Sequence, residues 1–597
     1  MKLKEIAGIT ACLALGICGG IYGYTHLTAQ GMEDINALQI QVGDIEFPVA
    51  RPPVRDTVFG DYLKSQFAQQ HHDWKKAGDF LDKVLVQTPG DDLVLKRAMT
   101  LAMGSGDPNK SITLAKKVID IDKNNALALL FLAADSLKKK EYKAAEEYVH
   151  AMPTGSVSEF IMPMMEGWVQ AGLGNYYGEH LTKNTVHLHH AILMADYLGK
   201  KEEIGKMLDL IMASQPETLS DLEHIAQIYA YSGDRKKAEN IYRKIIAEQP
   251  DNSRAVEKLA DMLAGKDVPI LDNKIVSPEA GVAITMQNMA QLLYQEYADE
   301  SARVFSNIAL HLDPSLTDAQ LLLAAITTRN DRKNEAIAYY RSISPDSEFF
   351  LEARRRAADL LEDTNQSEEA IAELNGLFKN HNDIESLVRI GDIYRRQENF
   401  EKAVNTYDDA IARLGGKVTK EHWQLLYARG MSLERMGQWD KAEADLKATL
   451  AFQPEHPYVL NYLAYAWADK GVNLDQALDM LKKASSLRPS DGYITDSLGW
   501  VYFRLERYKE AVPLLEAAVE ILPYDPAIND HLGDAYWKTG RKLEARFQWQ
   551  RARNFSIDNN FIAAIEAKLA QGMDADPNIK QARHDNPAAS GNAVMNP

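Results

Sequence analysis

DGYITDSLGWVYFRLERYKEAVPLLEAAVEILPY (residues 491–524) and DPAINDHLGDAYWKTGRKLEARFQWQRARNFSID (525–558) are two copies of one 34-residue pattern. Leu498-Gly499 followed by Tyr502 returns as Leu532-Gly533 followed by Tyr536, and Ala511, Leu515 and Ala518 return as Ala545, Trp549 and Ala552. Each copy holds a small residue, an aromatic one turn later and a second small residue 12 positions beyond the first. That spacing predicts two helices joined by a turn and touching where only Ala or Gly fits. Pro523 falls where the second helix of the first copy should stop, because proline cannot continue a helix.

The first small site can be followed upstream through Ser65, Met99, Ala133, Gly167, Ile192, Ala226, Ala260, Ala290, Ala324, Ala358, Gly391, Gly430 and Ala464, most neighbours being 33 to 35 residues apart. The second site follows 12 residues later at Ala77, Ala145, Ala238, Ala302, Ala336, Ala370, Ala403 and Ala442. Prolines such as Pro89, Pro216, Pro250, Pro314, Pro454 and Pro489 recur at or near hairpin ends. Between the small sites the apolar residues keep helical spacing, as in Ala238, Ile241, Tyr242 and Ile245, a stripe that needs the next hairpin to cover it.

The pattern resembles the tetratricopeptide repeat over residues 56–570, most closely from Ile384 to Ala552. The resemblance implies an all-α fold, a right-handed superhelical solenoid of helix-turn-helix hairpins. Irregularities divide it into two arrays. Residues 56–265 read as a degenerate N-terminal array, distorted where Gly167 and Ile192 stand only 25 residues apart. Residues 266–277, around Pro269, read as a loop break. Residues 278–570 read as a cleaner C-terminal array ending in a capping helix with Phe561, Ile562, Ile565 and Leu569 on one face. Residues 571–597, nearly free of large apolar side chains, are expected to be disordered.

Ahead of the repeats, Lys2 and Lys4 precede an apolar run from Ile6 to Tyr24. Residues 1–29 therefore read as a signal peptide or membrane anchor, and residues 30–55, with three prolines, as a linker. A lipoprotein signal fits less well, since neither Cys12 nor Cys18 has both a suitable preceding residue and an apolar run ahead of it. These are the only cysteines, so the body has neither a disulfide nor a cysteine-based zinc site. The expected location is the periplasm, soluble or tethered to the inner membrane by the N-terminal segment.

Eighty-five acids against 67 bases leave a formal charge of −18, which disfavours nucleic acid as a partner. Motifs for phosphate loops, HExxH metal sites and Gly-x-Ser-x-Gly nucleophiles are absent, so the chain reads as non-enzymatic, with no cofactor. His180, His187, His189 and His190 could be taken for metal ligands, but no further ligand stands at a telling spacing. They read as surface or packing histidines.

In the tetratricopeptide family the first helix of each hairpin lines the concave face, with residues one, four and five places after the small site and three and six before it turned inward. Carried onto this chain, that rule selects Tyr458, Asn461 and Tyr465, then Tyr493, Asp496, Trp500 and Phe503, then Asp530, Asp534 and Trp537. Aromatics over acids suit an extended segment or helix carrying positive charge. The expected function is a scaffold or adaptor binding partner proteins, in an assembly of the bacterial envelope. The alternative is a recognition arm of a polysaccharide or peptidoglycan pathway, since stacked aromatics also suit sugar rings.

Overall fold

A computed structural model describes residues 57–213, 219–249, 252–266 and 275–573. The expected signal or anchor, the linker and the C-terminal tail from residue 574 lie outside them. Among the described residues there are 29 α-helices and no strand, and no helix is long and apolar enough to cross a membrane.

The duplicated stretch forms two hairpins, Gly492–Arg504 with Tyr508–Ile521 and Pro526–Lys538 with Lys542–Phe555. Asp491 caps the first by accepting from the backbone N–H groups of Tyr493 and Ile494, and Asp525 caps the second through those of Ala527 and Ile528. Each turn closes on a left-handed residue, Glu506 (φ 59°) in one copy and Gly540 (φ 84°) in the other. The small sites mark where helices meet: a Cβ on Gly499 would stand 2.7 Å from Leu515, and one on Gly533 2.5 Å from Trp549. Ala511, Ala518, Ala545 and Ala552 are fully buried beside them. The periodic signal is therefore the steric signature of hairpin closure.

The chain divides into two compact units, residues 1–364 and 365–597. In the second, hairpins stack in chain order from Ser367–His381 onward, and Asn559–Gln571 packs against Lys542–Phe555 as the final helix.

The first unit is less regular. Ser156–Gly172 is followed by a single 3₁₀ turn, Gly178–His180, before Thr185–Tyr197 begins. That hairpin lacks a full second helix, which is why the period contracts there. After Ser253–Leu263 the chain returns: the hairpin Pro278–Gln295 and Asp299–Leu312 packs against Asp92–Gly104, Ala126–Lys138, Ser156–Gly172 and Thr185–Tyr197. These four are first helices of upstream hairpins, so the chain itself covers the face they would offer a partner.

The returning hairpin is held by shape and by polar contacts. Gly281 lies against Trp168, where a Cβ would come within 2.2 Å of the indole. Arg303, 3% exposed, donates from Nε to the Gly104 carbonyl (2.6 Å) and pairs with Glu335, while Asn307 Nδ2 reaches the same carbonyl at 3.0 Å. His311 stacks on Phe131 at 5.4 Å and meets Asp135 at 3.2 Å. The boundary read at 266–277 thus does not begin a separate array. Residues 278–364 fall in the first unit, the returning hairpin packing on the N-terminal helices and the helices over 317–363 following it in chain order.

The histidines of Thr185–Tyr197 are packing residues. His187 Nε2 bonds to the Phe160 carbonyl at 2.8 Å, and the rings of His189 and His224 lie 5.2 Å apart. His190 accepts on Nδ1 from Trp168 Nε1 at 3.0 Å. Its Nε2 lies 3.1 Å from the Asn288 side-chain amide.

Burial holds the His190 imidazole well below the usual histidine range. The folded unit binds this proton less readily than the unfolded chain does. The stability contributed is complete above the unfolded pKa of about 6.5 and is lost as pH falls toward the lower folded value. Unfolding free energy is expected to fall by up to about 1.4 kcal/mol per pH unit within that window. Denaturant titrations from pH 7.5 to 5 check this, with His190→Gln expected to remove that share of the slope. Equal slopes for the two proteins would contradict it.

Candidate protein-interaction surface

The ten residues selected by the concave-face rule lie on three successive first helices, Pro457–Lys470, Gly492–Arg504 and Pro526–Lys538. Their environments differ sharply. Tyr458, Asn461, Tyr465, Tyr493 and Trp537 are partly exposed, whereas Asp496, Trp500, Phe503, Asp530 and Asp534 are buried.

Trp500 is 1% exposed and forms the middle of a three-ring stack. Phe503 lies on one side at 4.8 Å with an interplanar angle of 8°, and His531 from the next hairpin on the other at 4.1 Å and 16°. His531 Nδ1 also meets Asp496 at 2.9 Å, so one side chain joins the ring stack to the carboxylate. Asp530 and Asp534 both pair with the Lys568 ammonium from the last helix, the Asp534 contact at 2.8 Å. Asp534 further accepts from Trp549 Nε1 at 3.0 Å. Trp537 lies 5.3 Å from the Trp549 ring, with Lys542 over its face at 4.7 Å.

The expectation that Asp496, Trp500, Phe503, Asp530 and Asp534 are displayed is therefore corrected. Their helices do carry them on the first-helix face, but the next hairpin and the capping helix close over that face. The acids are engaged within the chain, Asp496 by His531 and Asp530 and Asp534 by Lys568, which removes the basis for expecting a positively charged partner. Neither His531 nor Lys568 was singled out in the sequence. The available signal was a lysine beside Ile565 and Leu569 on the apolar stripe of the capping helix.

The face stays open further upstream. On Trp423–Arg435, Trp423 and Tyr427 are partly exposed, and the Trp423 ring lies 4.7 Å from His456. His456 continues to Tyr458 at 5.9 Å, and Tyr427 meets Tyr462 edge-on at 6.1 Å. The Tyr462 hydroxyl donates to Glu434 at 3.2 Å, and burial raises both groups above their usual ranges. Tyr427 stands three places before the small site Gly430, so the same positional rule applied one hairpin earlier would have found it. Within this aromatic strip the Asn461 side-chain oxygen is shielded from water and has no hydrogen-bond donor.

Tetratricopeptide-repeat family models match residues 222–252, 386–419, 427–491 and 472–526. The chain thus carries tetratricopeptide repeats over these residues. It is 28% identical over 178 residues to the TPR repeat-containing protein PA4667 of Pseudomonas aeruginosa, a match spanning 30% of this chain and 29% of that protein. Among solved structures it is similar to the APC/C hetero-tetramer Cut9–Hcn1 at 15% identity, covering 87% of this chain and 97% of that one with a TM-score of 0.36. It is also similar to a tetratricopeptide repeat protein from Parabacteroides merdae at 16% identity (43% and 98% covered, TM-score 0.34) and to yeast Tom70 at 15% (88% and 98%, TM-score 0.27). Proteins of this class bind protein partners and are generally non-enzymatic scaffolds, and the fold here is consistent with protein–protein interaction.

Proposed function

We propose that the chain is an adaptor of the bacterial envelope. It holds a partner polypeptide on the first-helix face of its second unit, along Trp423, Tyr427, Tyr458, Asn461 and Tyr465. The observation that carries this reading is the Asn461 carboxamide, whose oxygen lacks a donor in the middle of a partly exposed aromatic strip. A shielded acceptor left unmatched costs about 1–3 kcal/mol. A backbone N–H of an extended segment would satisfy it once the side chain turns outward, while the tyrosines supply contact area at small entropic cost. Tyr493 and Trp537 extend the strip toward the capped end.

The envelope location rests on the basic-then-apolar N-terminus and on a body without cysteine. The polysaccharide reading loses its main support, because Trp500 and Phe503 stack on each other rather than facing outward.

A photo-crosslinking residue at position 458 or 465 is expected to capture one defined polypeptide from intact cells. The same residue at Lys509, exposed on a second helix, should not. Equal capture from all three positions would remove the case for this face. Protease added outside the intact inner membrane should degrade the repeats; full protection would remove the envelope location.

A further inference from the structure

We propose that Glu146, His150 and Glu166 form a binding site for a zinc-like divalent cation on the first unit, an inference independent of the adaptor surface. Glu146 and His150 stand four residues apart on Tyr142–Ala151 and so share one side of that helix. Glu166 comes from the neighbouring Ser156–Gly172. One donor atom from each of the three lies within 4.8 Å of the other two.

The surroundings gather these groups. Gln170 Nε2 donates to Glu146 Oε1 at 2.7 Å and to Glu166 Oε1 at 2.8 Å, drawing two like-charged carboxylates onto one neutral amide. The amide is oriented in turn, because its oxygen accepts from Asn175 Nδ2 at 3.1 Å. Supporting contacts of this kind fix ligands around a metal. Glu166 is only 9% exposed, and its Oε2 is buried without a hydrogen-bond donor. His150 Nε2 faces that atom at 3.1 Å. Among the described residues no lysine or arginine pairs with Glu146 or Glu166.

The site thus concentrates two negative charges around an imidazole with nothing in place to balance them when the histidine is neutral. A divalent cation supplies that balance. Donors about 2.1 Å from a tetrahedral zinc stand roughly 3.4 Å apart, so the cluster need contract by at most about 1.4 Å. The His150 side chain, 64% exposed, has the freedom to make that movement and leaves the fourth position to water. One imidazole with two carboxylates suits zinc and its late first-row neighbours rather than calcium or magnesium, which prefer oxygen alone.

The test is calorimetric titration of the chelator-treated full chain with zinc chloride near pH 7.5, repeated for His150→Ala and Glu166→Gln. One tight equivalent is expected for the unaltered chain, weakened about tenfold or more in each variant, with calcium failing to compete. His150 is a surface side chain, so its loss leaves the helices in place and circular dichroism should be unchanged. Absence of a tight equivalent, unaltered affinity in both variants, or calcium binding as tightly as zinc would each overturn the proposal. The first two outcomes would leave the cluster as a side-chain contact between His150 and Glu166 alone.

Discussion

Lys568→Ala is expected to detach the capping helix and fray the last hairpin. The ammonium is 2% exposed and sits between Asp530 and Asp534, themselves 5% and 0% exposed. Removing it takes away the ammonium that both of these buried carboxylates, one helical turn apart, contact. Truncating one partner of a buried ion pair typically costs about 3–5 kcal/mol. Repeat arrays unfold in part rather than all at once, since each hairpin is stabilised mainly by its neighbours. Hydrogen exchange should therefore rise steeply across residues 526–571 and far less toward residue 384. A variant carrying Lys568→Met with Asp530→Asn and Asp534→Asn should recover most of the protection, because it removes the charges together, and an asparagine oxygen at 534 still accepts from Trp549 Nε1. If Lys568→Ala alone exchanges like the unaltered chain, the triad does not hold the cap.

Trp500→Ala carries the second large effect, and its readout is stability rather than binding. The indole is buried between Phe503 and His531. Truncation leaves a cavity between adjacent hairpins, and loss of a buried aromatic of this size costs about 3–5 kcal/mol. His531 would also lose the surface that orients it toward Asp496. Trp537, partly exposed, should cost less on the same change. Denaturant midpoints of the two variants make the comparison. If Trp500→Ala kept its midpoint and instead lost a crosslinked partner, the indole would be a displayed anchor after all.

Both predictions concern residues whose register was readable while their environment was not. The small-residue series locates hairpin closure because helices within a hairpin contact residues a fixed number of turns away, as Trp549 does with Asp534 across 15 positions. The regular copies repeat that constraint. The concave-face rule chose Asp496, Trp500 and Asp534 by their places along one side of a helix. It could not say what lies over that side. His531 meets Asp496 from 35 residues away and Lys568 meets Asp530 from 38, contacts between neighbouring elements that a rule for a single hairpin does not contain.

The returning hairpin of the first unit was further from reach. Arg303 bonds to Gly104 across 199 positions and Asn288 meets His190 across 98. Ala290 and Ala302 fit the small-site series as well as any other pair, so nothing local distinguishes a hairpin that continues a stack from one that turns back.

The sequence by itself determined the repeat, its hairpins and the side of each first helix, because these depend on sterics that recur within a few turns of chain. Only the tertiary structure decided which of those sides remain open. Coverage depends on where successive packing angles carry distant helices, and on whether a lysine or histidine arriving from elsewhere meets the buried acids waiting for it.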